Sequence, residues 1–325
     1  MRQAGSTIDR EKGVGSKRAI RPTFSVIVPT FNRIAALQEC LESLAQLDYP
    51  AQAFEVIVVD DGSATSAAEA TGAFQERLSL TLVEQAHSGA AAARNAGAAQ
   101  AAGQYLAFTD DDCRPARDWL RALESRFAAA PACAVGGRTL NALRENLYSE
   151  AMLLVRDVVY YHYNSDPERA RFLASNNLAL PADRFRAIGG FDSVRFASLS
   201  EDRDLCDRWL HHGYRMVYAP EVIVHHAHPL TMGLFCRQHF GRGRAAYHYH
   251  RARQLRGTGH LRNEFSFFGS LLPAVRHSLS NVPRSQVARY LVLFSMWQGA
   301  NAVGYLWERT SSALSSANGV IGERE

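Results

Sequence analysis

The sequence predicts an α/β fold: a mostly parallel sheet with flanking helices, followed by a helical C-terminal region. Three observations carry this. Short apolar runs of buried-strand type alternate with amphipathic segments from about residue 24 to 137, the pattern of a parallel sheet covered on both faces. Two acidic clusters, Asp60-Asp61 and Asp110 to Asp112, each follow such a run directly. Open sheets of this kind bind ligands outside the carboxyl ends of their strands, so the two clusters are expected to share one crevice. Beyond Thr231 the chain reads as mainly helical.

In order, residues 25–29 form the first strand, and Leu37, Leu41, Leu44 and Leu47 mark a helix by their spacing. Residues 54–59 and 80–83 are the next two strands, and the alanine-rich stretch 90–102 is helix-prone. A strand over 105–109 runs into the acidic triplet. Trp119, Leu120, Leu123 and Phe127 then give an amphipathic helix that stops near Pro131, and 133–136 is a fifth strand. Later come a strand at 176–180 and a short helix at 182–188 broken by Gly189-Gly190. Ser200 stands as N-cap of a helix over 201–212, and two further strands follow at 214–218 and 222–225.

The chain has 325 residues, 47% hydrophobic and 21% charged, with a net charge of +4. That excludes a wholly disordered or fibrous protein and is too weakly basic to imply nucleic acid. Five scattered cysteines without a CxxC argue against a disulfide framework and for a reducing compartment. No apolar signal segment is expected at the start. The first twenty-one residues carry six basic and two acidic side chains and read as a disordered basic arm, assigned to 1–22. No acidic residue occurs between Glu221 and Glu264, a window with seven arginines and seven of the twelve histidines. An apolar stretch over 286–307 is borderline for a spanning helix. With Phe265-Ser266-Phe267-Phe268, it instead suits peripheral membrane contact somewhere within 231–310.

Three carboxylates in a row after a buried strand repel one another unless solvent or a cation relieves them. A hard divalent cation, Mn²⁺ or Mg²⁺, is the usual relief. For an arbitrary triplet a solvated loop is the commoner outcome; placement at a strand end, beside a second pair, reverses that preference. Asp60-Asp61-Gly62-Ser63 also suits a tight turn with a helix cap, one carboxylate capping and the other free for a ligand. Absence of Gly-x-Gly-x-x-Gly after the first strand and of GxxxxGK[ST] argues against dinucleotide-dependent dehydrogenases and P-loop enzymes.

Ser25-Val26-Ile27-Val28-Pro29-Thr30-Phe31-Asn32-Arg33, Val58-Val59-Asp60-Asp61-Gly62-Ser63, Ala93-Arg94-Asn95-Ala96-Gly97 and Phe108-Thr109-Asp110-Asp111-Asp112 follow one another. Then come Gly189-Gly190-Phe191-Asp192, Glu201-Asp202, Gly213-Tyr214-Arg215, Tyr218-Ala219-Pro220 and His226-Ala227-His228-Pro229. This series resembles inverting family-2 glycosyltransferases of the GT-A fold over about residues 24–230. The resemblance implies transfer of a sugar from a nucleotide-sugar donor, UDP-linked, to the hydroxyl of a glycan or lipid-linked acceptor, with Mn²⁺ or Mg²⁺. It implies a glycosyltransferase domain over 23–230, with a nucleotide-binding half (23–137) and an acceptor half (138–230), and a helical region over 231–325. Pro29, Thr30 and Asn32 would then line the nucleoside pocket, Asp60 would accept from the base and Arg94 would lie near the nucleotide. Asp110 would approach the ribose and Asp112 the metal, with Asp111 between them.

By the same resemblance Asp202 is the general base and Glu201 its positioning neighbour. Without the resemblance, both acids merely complement the positive end of a helix. Strand alternation puts His226 and His228 on one face and His225 on the other. Either His228 or His226 would complete the metal shell, with His228 preferred. Trp209 is read as core. The window Arg237-Gln238-His239-Phe240-Gly241-Arg242-Gly243 lacks the Gln-x-x-Arg-Trp of processive relatives. It is equally readable as a contact for the donor diphosphate or a lipid-linked diphosphate acceptor, and as a solvated basic helix face near anionic lipid. The competing function is a metal-dependent nucleotidyltransferase or phosphohydrolase, or a non-catalytic sugar-nucleotide-binding protein.

Overall fold

The computed structural model describes residues 22–196, 199–259 and 261–322. The basic arm therefore lies, but for its last residue, outside the described part, as do the side chains of Phe265, Ser266 and Phe268. Eight strands form one sheet: β1 (Phe24–Thr30), β2 (Phe54–Asp60), β3 (Leu80–Glu84), β4 (Tyr105–Thr109), β5 (Cys113–Pro115), β6 (Ala134–Asn141), β7 (Asn177–Pro181) and β8 (Met216–His226). Their order is β3-β2-β1-β4-β7-β6-β8-β5.

The first four strands are parallel, and burial explains their apolar runs. Phe24, Val26 and Val28 of β1 and Phe54, Val56 and Val58 of β2 enter one core with α1 (Ile34–Ala45), α2 (Ala68–Gly72) and α4 (Trp119–Ala129). Ile27, Ile57 and Val59 enter the opposite core with α3 (Ala90–Gln100), α6 (Ala182–Ala187) and α7 (Glu201–His211). Successive side chains point to opposite faces, so a strand covered on both sides must be apolar throughout.

The second half carries the differences from expectation. β7 runs antiparallel to both β4 and β6. Its first residue, Asn177, thereby pairs with Thr109 at the edge where the acidic triplet begins. The two strands expected at 214–218 and 222–225 are one strand, β8, interrupted by a bulge opposite Gly137-Arg138. Pro220 sits in the bulge and has no N–H to give a ladder. β8 ends with His226 opposite Cys113 of β5, beside the triplet. Ser200 precedes α7 as expected, but with φ of 68° and no side-chain capping bond.

α5 (Leu147–Tyr163) was not foreseen. Asn146 caps it, accepting from the amides of Tyr148 and Ser149. A third core joins α5 to α8 (Met232–Arg256), α9 (Leu261–Ser278) and α10 (Arg284–Gly322). α8 and α10 approach backbone to backbone. A Cβ added to Gly243 would meet the Asn301 carbonyl at 2.1 Å, and one on Gly304 the Phe240 carbonyl at 2.1 Å. Among the described residues no helix is long and apolar enough to cross a membrane.

Candidate active site

The carboxyl edge of the sheet is built first from the loop after β2. Asp60 Oδ1 accepts from the Ser63 amide and Oδ2 from the Ala67 amide, both at 2.9 Å. Both oxygens are thus spent holding the turn, and Asp60 is not among the walls of the cavity described below. Asp61 is on that wall. Its carboxylate accepts from the amides of Ser88 and Gly89 at the start of α3 and from the Gln85 side chain, with His87 Nδ1 at 2.9 Å. Both carboxylates of the pair thus hold backbone amides, and of the two only Asp61 lines the cavity. Asn32 likewise ties loops together. It adopts φ of 54°, its amide donates to Ser63 Oγ, and its side-chain oxygen accepts from the Ala64 amide. Pro29 and Thr30 line the cavity; Asn32 does not.

The triplet is divided three ways. Asp110 faces the cavity and pairs with Arg94 at 2.7 Å. Arg94, 4% exposed, reaches Glu201 with its other nitrogen at 3.0 Å. One guanidinium thus joins the end of β4 to the start of α7. Asp111 is fully buried and accepts from Thr30 Oγ1 at 2.8 Å and from Arg33. Burial pushes it up to about 7 despite the Arg33 charge. Asp112 meets His226 Nε2 at 3.2 Å, His228 Nδ1 at 3.1 Å and Arg33 Nη1 at 2.7 Å. Burial alone would raise Asp112, but the hydrogen bonds from His226 and His228 outweigh it and hold it well below the usual carboxylate range.

Asp112, His226 and His228 present ligand atoms within 4.8 Å of one another. One carboxylate and two imidazoles fit a divalent transition ion, and suit Mn²⁺ better than Mg²⁺, which favours all-oxygen sites. The His226 and His228 rings stack at 5.4 Å and 14°, the shared face that alternation gave. Gln238 Nε2 lies 2.8 Å from His228 Nε2, an outer partner that fixes the ring. Cys113 is also near, with Asp110 and Asp112, and burial drives its thiol well above the ordinary range.

Glu201 and Asp202 open α7 and both line the cavity. Burial, and then the Asp202 charge, push Glu201 up to about 7, with Arg94 opposing. Asp202 is half-buried, and its Oδ1 accepts from the Arg203 amide at 2.8 Å. Trp209 is core, donating to the Arg215 carbonyl.

Asp61, Arg94, Asp110, Glu201 and Asp202 border one cavity of about 1190 Å³, whereas Asp111, Asp112, His226 and His228 are not among its walls. Pro29, Thr30, Asp61, Arg94 and Asp110 wall one end, Glu201 and Asp202 the middle, and α5, α8 and α10 the other end. Several lining residues carried no distinct sequence signal. Phe31 and His87 stack at 4.1 Å at the strand end. Arg156 and Arg203 also line the cavity, with His239 and Arg242 from the basic window.

The chain matches the Glycosyl transferase family 2 model over residues 25–196. It belongs to that family. It is 37% identical over 119 residues to the glycosyltransferase AglE of Haloferax volcanii, covering 36% of this chain and 39% of that one. The pre-mycofactocin glycosyltransferase of Mycobacterium tuberculosis is 30% identical over 213 residues, 63% of this chain and 42% of the relative. The match spans well under two thirds of either relative's length. Among solved structures, the mannosyltransferase PcManGT from Pyrobaculum calidifontis, in complex with GDP-Man and Mn²⁺, superposes with a TM-score of 0.63 at 22% identity. That match covers 89% of this chain and 88% of the other. Staphylococcus aureus TarS 1–349 in complex with UDP gives 0.52 at 18% identity, covering 89% and 92%. These likenesses establish the GT-A fold.

Proposed function

We propose that this protein transfers a sugar from a nucleotide-sugar donor to the hydroxyl of a glycan or lipid-linked acceptor, with inversion at the transferred carbon. The observation that carries this is the single cavity in which Asp110 and Asp202, from distant parts of the chain, stand on either side of the Arg94–Glu201 pair.

Pro29, Thr30 and the Phe31–His87 pair offer a wall for the nucleoside at the strand ends, and Asp110 faces its ribose. Asp112, His226 and His228 would hold Mn²⁺ or Mg²⁺, which when bound neutralises charge growing on the departing diphosphate. Asp202 accepts the proton of the acceptor hydroxyl. The oxygen then bonds to the sugar carbon from the face opposite the donor. The bond from that carbon to the diphosphate oxygen breaks, and its electron pair leaves with the nucleoside diphosphate. Glu201, locked to Arg94, fixes the first turn of α7 and so the position of Asp202.

The sequence resemblance favours a uridine donor; the two solved neighbours carry GDP-Man and UDP. A panel of nucleotide sugars with Mn²⁺ identifies the donor by thermal shift, since a ligand stabilises by RT ln(1 + [L]/Kd). The expected result is one stabilising donor and release of its nucleoside diphosphate. Release of pyrophosphate or of nucleoside monophosphate instead would establish the nucleotidyltransferase or phosphohydrolase reading.

A further inference from the structure

The acceptor end of the cavity is electrically unlike the donor end. Arg33, Arg94 and Arg253 line the cavity and each pairs with carboxylates. Arg156, Arg203 and Arg242 line it too, and among the described residues none makes an ion pair with a carboxylate. Arg156 Nη1 donates to Asn176 Oδ1 at 3.1 Å. The Arg203 guanidinium lies over the rings of Phe172 and Tyr163, at 5.5 and 5.7 Å. Arg242 Nη1 has only the Met152 sulfur, at 2.8 Å. Burial, and then the charge of Arg156, lower Arg242 to about 10. His239, one turn earlier on α8, is 0% exposed, lines the cavity, and has no hydrogen-bond partner at either ring nitrogen.

Three half-buried guanidiniums from α5, α7 and α8, with no carboxylate in direct contact, and a buried imidazole without a hydrogen-bond partner leave donors free for an anion. The planar fork of arginine matches phosphate oxygens, and three forks exceed what a single carboxylate can use. Around them the wall is apolar: Met152, Val155, Val159, Trp297 and Leu306. Leu306 is also 55% exposed, so the apolar end opens to the surface. There Val303, Trp307 and Leu314 continue an exposed apolar face along α10, spaced four and seven residues apart.

We propose that the acceptor is a phosphate-bearing amphiphile. Its phosphate is held by Arg156, Arg203 and Arg242 with His239 beside them, and its apolar chain leaves along Met152, Val155, Trp297 and Leu306. This rests on the glycosyltransferase reading, with the phosphate a binding handle and a hydroxyl of the same molecule the nucleophile.

Calorimetric titration of the full chain with dodecyl phosphate, dodecyl maltoside and inorganic phosphate, all below micelle formation, tests it. Dodecyl phosphate is expected to bind at least tenfold more tightly than either of the others, and to lose at least tenfold in Arg242→Gln and in Arg203→Gln. Both variants are checked for an unchanged or raised Tm, because each removes an uncompensated charge. Equal binding of inorganic phosphate makes this a free-anion site and overturns the proposal; equal binding of the maltoside overturns the role of charge. Nucleoside diphosphate affinity, measured with Mn²⁺, is expected to hold in both variants. A loss there as large as for dodecyl phosphate assigns the arginines to the donor and also overturns it. A wild type that hydrolyses a nucleotide sugar but ignores dodecyl phosphate defeats this inference alone. One that binds dodecyl phosphate but no nucleotide defeats the glycosyltransferase reading instead.

Discussion

The two ends of the cavity differ in how far their polar groups are satisfied. At the strand ends Asp60, Asp61, Asp111 and Asp112 each accept from two or more partners, and Arg94 bridges two acids. At the helical end His239 has no hydrogen-bond partner and Arg242 no carboxylate. The strand end is the better connected of the two, although Arg94 Nε and Thr109 Oγ1 also lack a hydrogen-bond partner there; unmet buried polar groups are held at a cost that a ligand can relieve.

The sharpest test sits between the two ends. Asp202→Asn is expected to slow transfer by about 10²–10⁴-fold, the range for a positioned general base. Donor affinity by titration should not change, and retained turnover would place the base elsewhere. On the donor side, Gln238→Ala frees the His228 ring and is expected to weaken Mn²⁺ binding by roughly 10–100-fold. Unchanged affinity in an ion titration would show that Gln238 does not hold the ring for the ion, and unchanged affinity in His228→Ala would remove His228 from the metal shell.

A smaller effect separates the adjacent acids of the β2 loop. Asp60→Ala should cost about 1–2 kcal/mol of stability, lowering Tm by about 2–8 °C, because it deprives two backbone amides of their acceptor. Its nucleotide affinity should otherwise follow the folded fraction. Asp61→Ala should lower affinity at temperatures where both variants remain folded. The smallest effect is in pH. Glu201 has a folded value raised from 4.5 to about 7, so the stability it contributes is fully present below about 4.5 and lost as pH rises through about 7. The Tm of Glu201→Gln should therefore fall less over that interval than that of wild type.

Much of the strand-end half was legible in the sequence because its strands are short, apolar on both faces and followed by acids. Asp61 and Asp110, one from each acidic cluster, reach one cavity as the topology rule requires. Asp60 and Asp61 could not be told apart in sequence because adjacent carboxylates in a turn look alike until the amides they meet are known. Ser63 and Ala67 take one, and Ser88 and Gly89 the other. α5 was missed although Asn146 and Glu150 are good start signals, since Leu147 to Tyr163 is too apolar for a clean helical stripe. Its burial against α9 and α10 depends on residues more than a hundred positions away. Of the unpaired arginines only Arg242 lay in a window that the sequence marked; Arg156 and Arg203 come from two other helices, and their lack of carboxylate partners is a property of space alone.

The backbone contact at Gly243 and Gly304 fixes where Trp297, Asn301 and Leu306 stand over the cavity. Those three residues lie beyond the segment that matches the family, 25–196. Side chains over this end of the cavity can thus change on one terminal helix while the segment that matches the family stays untouched.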